Sequence, residues 1–262
     1  MAFVLAEIGA SVSVELILGD CRDVLPTLPD RAFDLVLTDP PYGVTSLEWD
    51  VPVEGWLPEV DRVLKPSGSL WVFGSMRSLA PLIADAERRQ LGPWRYAQEV
   101  VWEKHNGSGF QSDRFRRVHE FAVHFYRGPW SRVYRKQVVT MDAKARVVRS
   151  KRRPKHMGQI DRTPYVSHDG GPRLQRSVLR VRSEHGRADH PTQKPLGILR
   201  PLIEHSCPRG GTVLDPFAGA GSVGVAARDM DCSAVLIEVD ADYHAAAQRR
   251  VDQGSLLAEG PA

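Results

Sequence analysis

One stretch of this chain narrows its fold more than any other. Thr212-Val213-Leu214-Asp215 is a short apolar run, Pro216-Phe217-Ala218-Gly219-Ala220 makes a turn, and Gly221 to Asp229 has helical spacing. Ala234 to Ile237 then reads as a second strand, ending at Glu238 and Val239. Strand, turn, helix and strand in that order call for a mostly parallel sheet covered on both faces. Gly219, Gly221 and Gly224 have G-x-G-x-x-G spacing. Glycines there let the backbone approach a ligand, and the helix start offers unpaired N–H groups. An acid at the end of the second strand, Glu238, suits ribose hydroxyls. The layout is that of a nucleoside-cofactor site, although a turn serving only packing would read the same way. Spacing alone also fits a dinucleotide. Asp215, which would repel a pyrophosphate and attract an ammonium group, and the bulky Pro216-Phe217 argue against one.

The same rhythm runs through residues 14 to about 130. Strand-like runs lie at 14–18, 33–38, 70–73, 96–102 and 121–126, with helical spacing at 56–64 and 78–89. His105 to Gly109 reads as a loop after a strand. Residues 195–205 and 241–251 add two helices. Between about 131 and 189 the rhythm is lost, and the stretch is too long for an ordinary connection. It holds 16 Lys plus Arg against 5 Asp plus Glu, while the whole chain carries only +3. A basic segment within an acidic body suits a polyanion, though a solvated loop would also be basic.

Other features exclude function classes. No apolar run is long enough to span a membrane, and residues 1–14 lack a basic leader. Three scattered cysteines, Cys21, Cys207 and Cys232, argue against a disulfide framework. His119 and His124 have the wrong spacing and a strand-like setting for a zinc helix, so no metal is expected.

Asp39-Pro40-Pro41-Tyr42 follows the second strand directly. Two prolines stiffen the turn and remove two donors. Asp39 is a charged acceptor at a strand's C-terminal end, where open α/β sheets place their ligands. Tyr42 offers a flat face beside it. An exocyclic amine on a base is a poor nucleophile, because its lone pair is delocalised into the ring. The Asp39 carboxylate and the Pro40 carbonyl, both accepting from that amine, would localise the lone pair. A duplex base reaches such a pocket only when flipped out, and Tyr42 would replace its stacking.

With these motifs in this order, the chain resembles the permuted, β-group amino-DNA methyltransferases. In that family the catalytic motif comes first, a target-recognition region second and the cofactor motif last. Gly19-Asp20-Cys21 resembles the segment at the cofactor adenine. His190-Pro191-Thr192-Gln193-Lys194-Pro195 resembles the motif near the methionine moiety. His119-Glu120 and Phe125-Tyr126-Arg127 fit the last strand of the catalytic half.

The resemblance implies a Rossmann-like α/β fold: a doubly wound, mostly parallel seven-stranded sheet with an antiparallel edge strand. Residues 14–130 and 190–252 would form the core, and 131–189 a DNA-binding insertion. The implied cofactor is S-adenosylmethionine, held by Asp20, Cys21, Asp39, His190, Thr192, Lys194, Asp215, Phe217, Ala218, Gly219, Gly221, Ser222, Glu238 and Val239. Catalysis falls to Asp39, Pro40, Pro41 and Tyr42, and phosphate contacts to Lys151, Arg152 and Arg153. The implied activity is site-specific methylation of adenine N6 in duplex DNA, as in a restriction-modification pair. The leading Asp favours adenine over the cytosine-N4 alternative. A silent DNA-binding relative, or one acting on RNA or a protein glutamine, shares the fold. The short insertion fits a homodimer or a short target site, and the implied setting is the cytoplasm and nucleoid of a bacterium, an archaeon or a phage host.

Overall fold

The computed structural model describes residues 12–41, 43, 51–108, 112–148, 165–183 and 193–258. The chain divides into two compact units, Met1–Lys136 with Ser177–Ala262, and Gln137–Arg176. The second unit lies inside the 131–189 stretch, and the residues flanking it belong to the first.

In chain order the first unit begins with β1 (Val14–Leu18), α1 (Cys21–Val24), β2 (Phe33–Thr38), α2 (Trp56–Val63), β3 (Leu64–Gly74), α3 (Met76–Glu87), β4 (Trp94–Ser108) and β5 (Arg117–Arg127). The second unit carries β6 (Val139–Thr140), β7 (Arg146–Val148), β8 (Tyr165–Ser167) and β9 (Arg173–Leu174). These make two antiparallel ribbons, β6 with β9 and β7 with β8. The first unit resumes with β10 (Val178–Arg180), α4 (Leu196–Ser206), β11 (Thr212–Asp215), α5 (Ser222–Asp229), β12 (Ser233–Glu238) and α6 (Ala241–Ala258).

One eight-stranded sheet runs β1-β12-β11-β2-β3-β5-β4-β10. All neighbours pair in parallel except β5, which is antiparallel to β3 and to β4. The mostly parallel architecture read from the sequence stands, with two corrections. The sheet has eight strands, not seven, and its antiparallel strand lies inside it, not at the edge. The eighth strand is β10, too short and too flanked by arginines to show a period. It joins β4 because Leu179 buries against the sheet. The loop expected at 105–109 is also strand as far as Ser108, where β4 still pairs with β5.

Strand alternation sorts the core into two layers. Val36, Leu70, Val72, Leu214, Val235 and Ile237 face one side, with Val60 and Val63 of α2 and Leu79 of α3. Leu35, Leu37, Trp71, Phe73, Val213 and Leu236 face the other, with Leu199 and Leu202 of α4 and Ala226 and Ala227 of α5. Local signals set the helix starts. Ser75 and Ser78 exchange side-chain and backbone hydrogen bonds in a capping box that opens α3.

This topology fixes where a ligand can sit. From β11 the chain moves through α5 to β12 on one side, and from β2 through α2 to β3 on the other. The winding therefore reverses between β11 and β2, and such a switch point opens a crevice at the strands' C-terminal ends.

Candidate active site

Four neighbouring parallel strands bring their ends to that crevice: β1 with Asp20 just beyond it, β12 with Glu238, β11 with Asp215, and β2 with Thr38 and Asp39. A single pocket is lined by these residues together with Cys21, Pro41, Phe73, Lys194, Phe217, Ala218, Gly219, Ser222 and Val239. The two turns that stand 176 positions apart in sequence, at 39 and 215, thus share one cavity.

The two halves are joined directly. Thr38 Oγ1 donates to Asp215 Oδ1 at 2.8 Å, and the Phe217 amide donates to the same oxygen at 3.1 Å. Burial pushes the Asp215 carboxyl up to about 7 against these two donors, and the charges of Asp39 and Glu238 add to the rise. Glu238 Oε2 accepts the Gly219 amide at 2.7 Å and Oε1 the Asp240 amide at 2.9 Å. Burial raises its carboxyl too, despite the backbone donors. Each Glu238 oxygen keeps a further lone pair for a ligand hydroxyl.

The glycine turn has the conformation its sequence demands. Gly221, the residue before α5, has φ +70, and a Cβ there would lie 3.1 Å from Ala247 Cβ. Gly224 lets α5 lie against the sheet, since a Cβ would come within 2.7 Å of Leu236 Cδ1 and 2.8 Å of Val14 Cγ1. Arg250 of α6 donates to Ser222 Oγ at 2.7 Å and to the Ala220 carbonyl at 3.2 Å, fastening the turn from behind. Phe217 meets the Trp56 ring edge-on at 5.7 Å, which fixes its ring on the core side.

Asp20 caps α1 by accepting the Arg22 amide at 2.8 Å. Its hydrogen bonds with the Arg22 side chain hold its carboxyl below the usual carboxylate range. Cys21 is buried, and burial with the Asp20 charge pushes its thiol up to about 12, away from the thiolate that nucleophilic chemistry needs.

Asp39 is the most unusual group in the pocket. Its Oδ2 is ion-paired with Lys194 Nζ. Its Oδ1 is buried and has no hydrogen-bond partner among the described residues. Burial raises its carboxyl to about 6, opposed by Lys194 and reinforced by Glu120. Lys194 also lies 3.4 Å from Glu120 Oε2, and Glu120 Oε1 is ion-paired with Lys104. Sequence reasoning assigns Thr38, Lys104 and Glu120 no role in the site: His119-Glu120 matches the family only as a strand of the catalytic half, and in the chain these three stand as polar residues in otherwise apolar strands. Lys194 was read as a cofactor ligand; it lines the pocket with its ammonium turned toward two carboxylates. Tyr42, Lys151, Arg152, Arg153, His190 and Thr192 lie outside the described residues.

The donor set fits a cationic nucleoside. Asp20, Asp215 and Glu238 line one cavity, and burial has raised the proton affinity of the last two, so a ligand bringing positive charge and hydroxyls would relieve both.

A doubly wound sheet with a nucleoside-type turn and a rigid acceptor turn at its switch point defines a Rossmann-like methyltransferase fold. Solved structures share it. The M1.HpyAVI–SAM complex superposes with a TM-score of 0.60 at 20% identity, covering 91% of this chain and 99% of that one. The PvuII DNA methyltransferase (cytosine-N4-specific) gives 0.63 at 15% identity, covering 95% and 92%. In sequence, the chain is 29% identical to the type II methyltransferase M.HinfI of Haemophilus influenzae over 259 residues, 89% of this chain and 67% of the relative. The model of the N6/N4 DNA methylase family matches residues 33–249, and the chain belongs to that family.

Proposed function

We propose that this protein transfers a methyl group from S-adenosylmethionine to the exocyclic N6 of an adenine extruded from duplex DNA. The observation that carries this reading is Asp39 Oδ1: a buried carboxylate oxygen without a partner among the described residues, on a proline-stiffened turn that lines a nucleoside-type pocket. Leaving such an acceptor unpaired is costly, and an amino group entering the pocket repays that cost.

The cofactor would be held by Glu238 at its ribose hydroxyls, by Asp215 at its ammonium, by Asp20, Cys21 and Val239 around the base, and by the Phe217–Ser222 turn. When bound, it supplies an electrophilic methyl group on a sulfonium. Asp39 Oδ1 accepts an N–H of the amine and draws the nitrogen lone pair out of the ring. The Pro40 carbonyl takes the second N–H. After transfer, Asp39, with its raised proton affinity, receives the proton that the methylated amine loses. Tyr42 stacks on the extruded base. Phe73 and Leu199 line the pocket with apolar surface that excludes water.

The basic stretch between 131 and 189 would hold the duplex, with Lys151, Arg152 and Arg153 on phosphates. Asp at the head of the tetrapeptide favours adenine. Cytosine-N4 is the second reading, because the same two acceptors suit its amine and the PvuII enzyme shares the fold. Incubating the protein with plasmid DNA and labelled S-adenosylmethionine, then digesting to nucleosides, tests both. N6-methyladenine is expected. N4-methylcytosine alone would select the second reading, and no labelled nucleoside on any DNA would leave a silent DNA-binding protein.

A further inference from the structure

We propose that Glu120 on β5 is a positioning residue for the Asp39 carboxylate and acts on it through Lys194. The proposal rests on the reading of Asp39 given above.

Four side chains form a line of alternating charge: Asp39, Lys194, Glu120, Lys104. They come from the end of β2, the segment ahead of α4, β5 and β4. All four side chains are less than one-fifth exposed, and their charges sum to zero. Buried charges persist only when paired in this way. The pairing is uneven. Lys194 and Asp39 Oδ2 are in direct contact, as are Lys104 and Glu120 Oε1, whereas Glu120 Oε2 stands 3.4 Å from Lys194 without a directed hydrogen bond. Charge attraction, then, is what holds Lys194 toward β5. The Phe73 ring lies 5.4 Å from the same ammonium and limits where it can swing.

The consequence is an asymmetric Asp39. Lys194 is drawn toward Glu120, so it pairs with Oδ2 and leaves Oδ1 without a partner among the described residues, free to accept an amine that enters the pocket. Without the charge on Glu120, the ammonium is free to bridge both Asp39 oxygens. Glu120 also sets the electrostatics. Among the described residues, the charged groups facing Asp39 are Lys194, Glu120, Lys104 and, from β11, Asp215. Glu120 and Asp215 favour the protonated Asp39, and the two lysines favour the ionised one.

The test is the pH profile of single-turnover methyl transfer. In Glu120→Gln the acid limb, which reports ionisation of Asp39, should move down by about one pH unit. The plateau rate should also fall, by less than the roughly 10²-fold or more expected of losing the acceptor outright, with cofactor affinity unchanged by calorimetry. Lys104→Gln should move the acid limb the opposite way, and Glu120→Asp should restore its wild-type position. A purely structural role would not shift the limb in opposite directions. An unmoved limb in Glu120→Gln, or a shift of the same sign in both variants, overturns the proposal. If Glu120→Gln does not fold, the upward shift in Lys104→Gln decides alone, and its absence is equally fatal. Asp39→Ala is run alongside. If it abolishes transfer while the Glu120→Gln profile stays put, only the positioning role falls. If it still transfers methyl, the reading of the site itself is wrong.

Discussion

Lys194 reaches back 155 positions to pair with Asp39 Oδ2, leaving Oδ1 of the same carboxylate buried and without a partner among the described residues. One oxygen is thus occupied by Lys194, and the other is left to accept a hydrogen bond from a ligand. The two oxygens therefore do different work, and the first prediction follows from that division.

Asp39→Ala should lower methyl transfer by at least about 10²-fold, the loss seen when a preorganised polar group is removed from a reacting centre. Cofactor binding should survive, because Asp215, Glu238 and the glycine turn are untouched. Filter assays with labelled donor and titration calorimetry measure the two separately. Near-normal turnover in the variant would remove Asp39 from the chemistry.

Cofactor affinity should depend on pH through Asp215. Its folded-state carboxyl is raised from 3.8 to about 7. Attraction for an ammonium group therefore weakens as pH falls through about 7. The same shift acts on stability with the opposite sign from an ordinary ion-paired carboxylate. The native state binds more protons than the unfolded chain between 3.8 and about 7, so stability contributed by this group declines as pH rises through that window. At full ionisation the cost is roughly 4 kcal/mol. Asp215→Asn should then melt higher than the parent at pH 8, with the gap closing near pH 4, while binding the cofactor weakly. Thermal melts across pH that show no convergence would contradict this account.

The glycine turn should tolerate little. Gly221→Ala places a side chain at φ +70 and 3.1 Å from Ala247 Cβ, which costs about 1–2 kcal/mol for the left-handed backbone alone. Gly224→Ala meets Leu236 and Val14 and should cost about 1–3 kcal/mol through overpacking. Urea unfolding reads both. The first should also weaken cofactor binding, since Gly221 sits in the turn, whereas the second acts where α5 packs on the sheet.

Replacing Lys151, Arg152 and Arg153 with Gln should weaken DNA binding and flatten its salt dependence by nearly one unit of log–log slope per lost phosphate contact. Fluorescence anisotropy at several salt concentrations measures the slope. An unchanged slope would remove this cluster from the interface.

Much of the architecture was legible in the residues themselves. Strands β2, β11 and β12 announce themselves as apolar runs ending in acids, and the glycine turn between β11 and α5 declares its conformation through Gly219 and Gly221. The positions of β5 and β10 were not legible. Nothing in Phe121 to Tyr126 says which two strands will flank it, and Val178 to Arg180 is too short to carry a period. The site divided along the same line. Asp39, Asp215 and Glu238 stand out at strand ends, whereas Glu120 and Lys104 look like ordinary strand residues until β5 and β4 are paired.

By itself, then, the sequence determined the order of the motifs, the alternation of strands and helices, and the chemistry of each turn, because backbone stiffness, periodicity and capping act over a few residues. Only the tertiary structure decided that the turns at 39 and 215 share one pocket, that Thr38 ties them together, and that Asp39 shares a buried line of charge with Lys194, Glu120 and Lys104. Those contacts depend on which strands lie side by side. That choice is made by burial of the whole core, and it leaves no local trace in the chain.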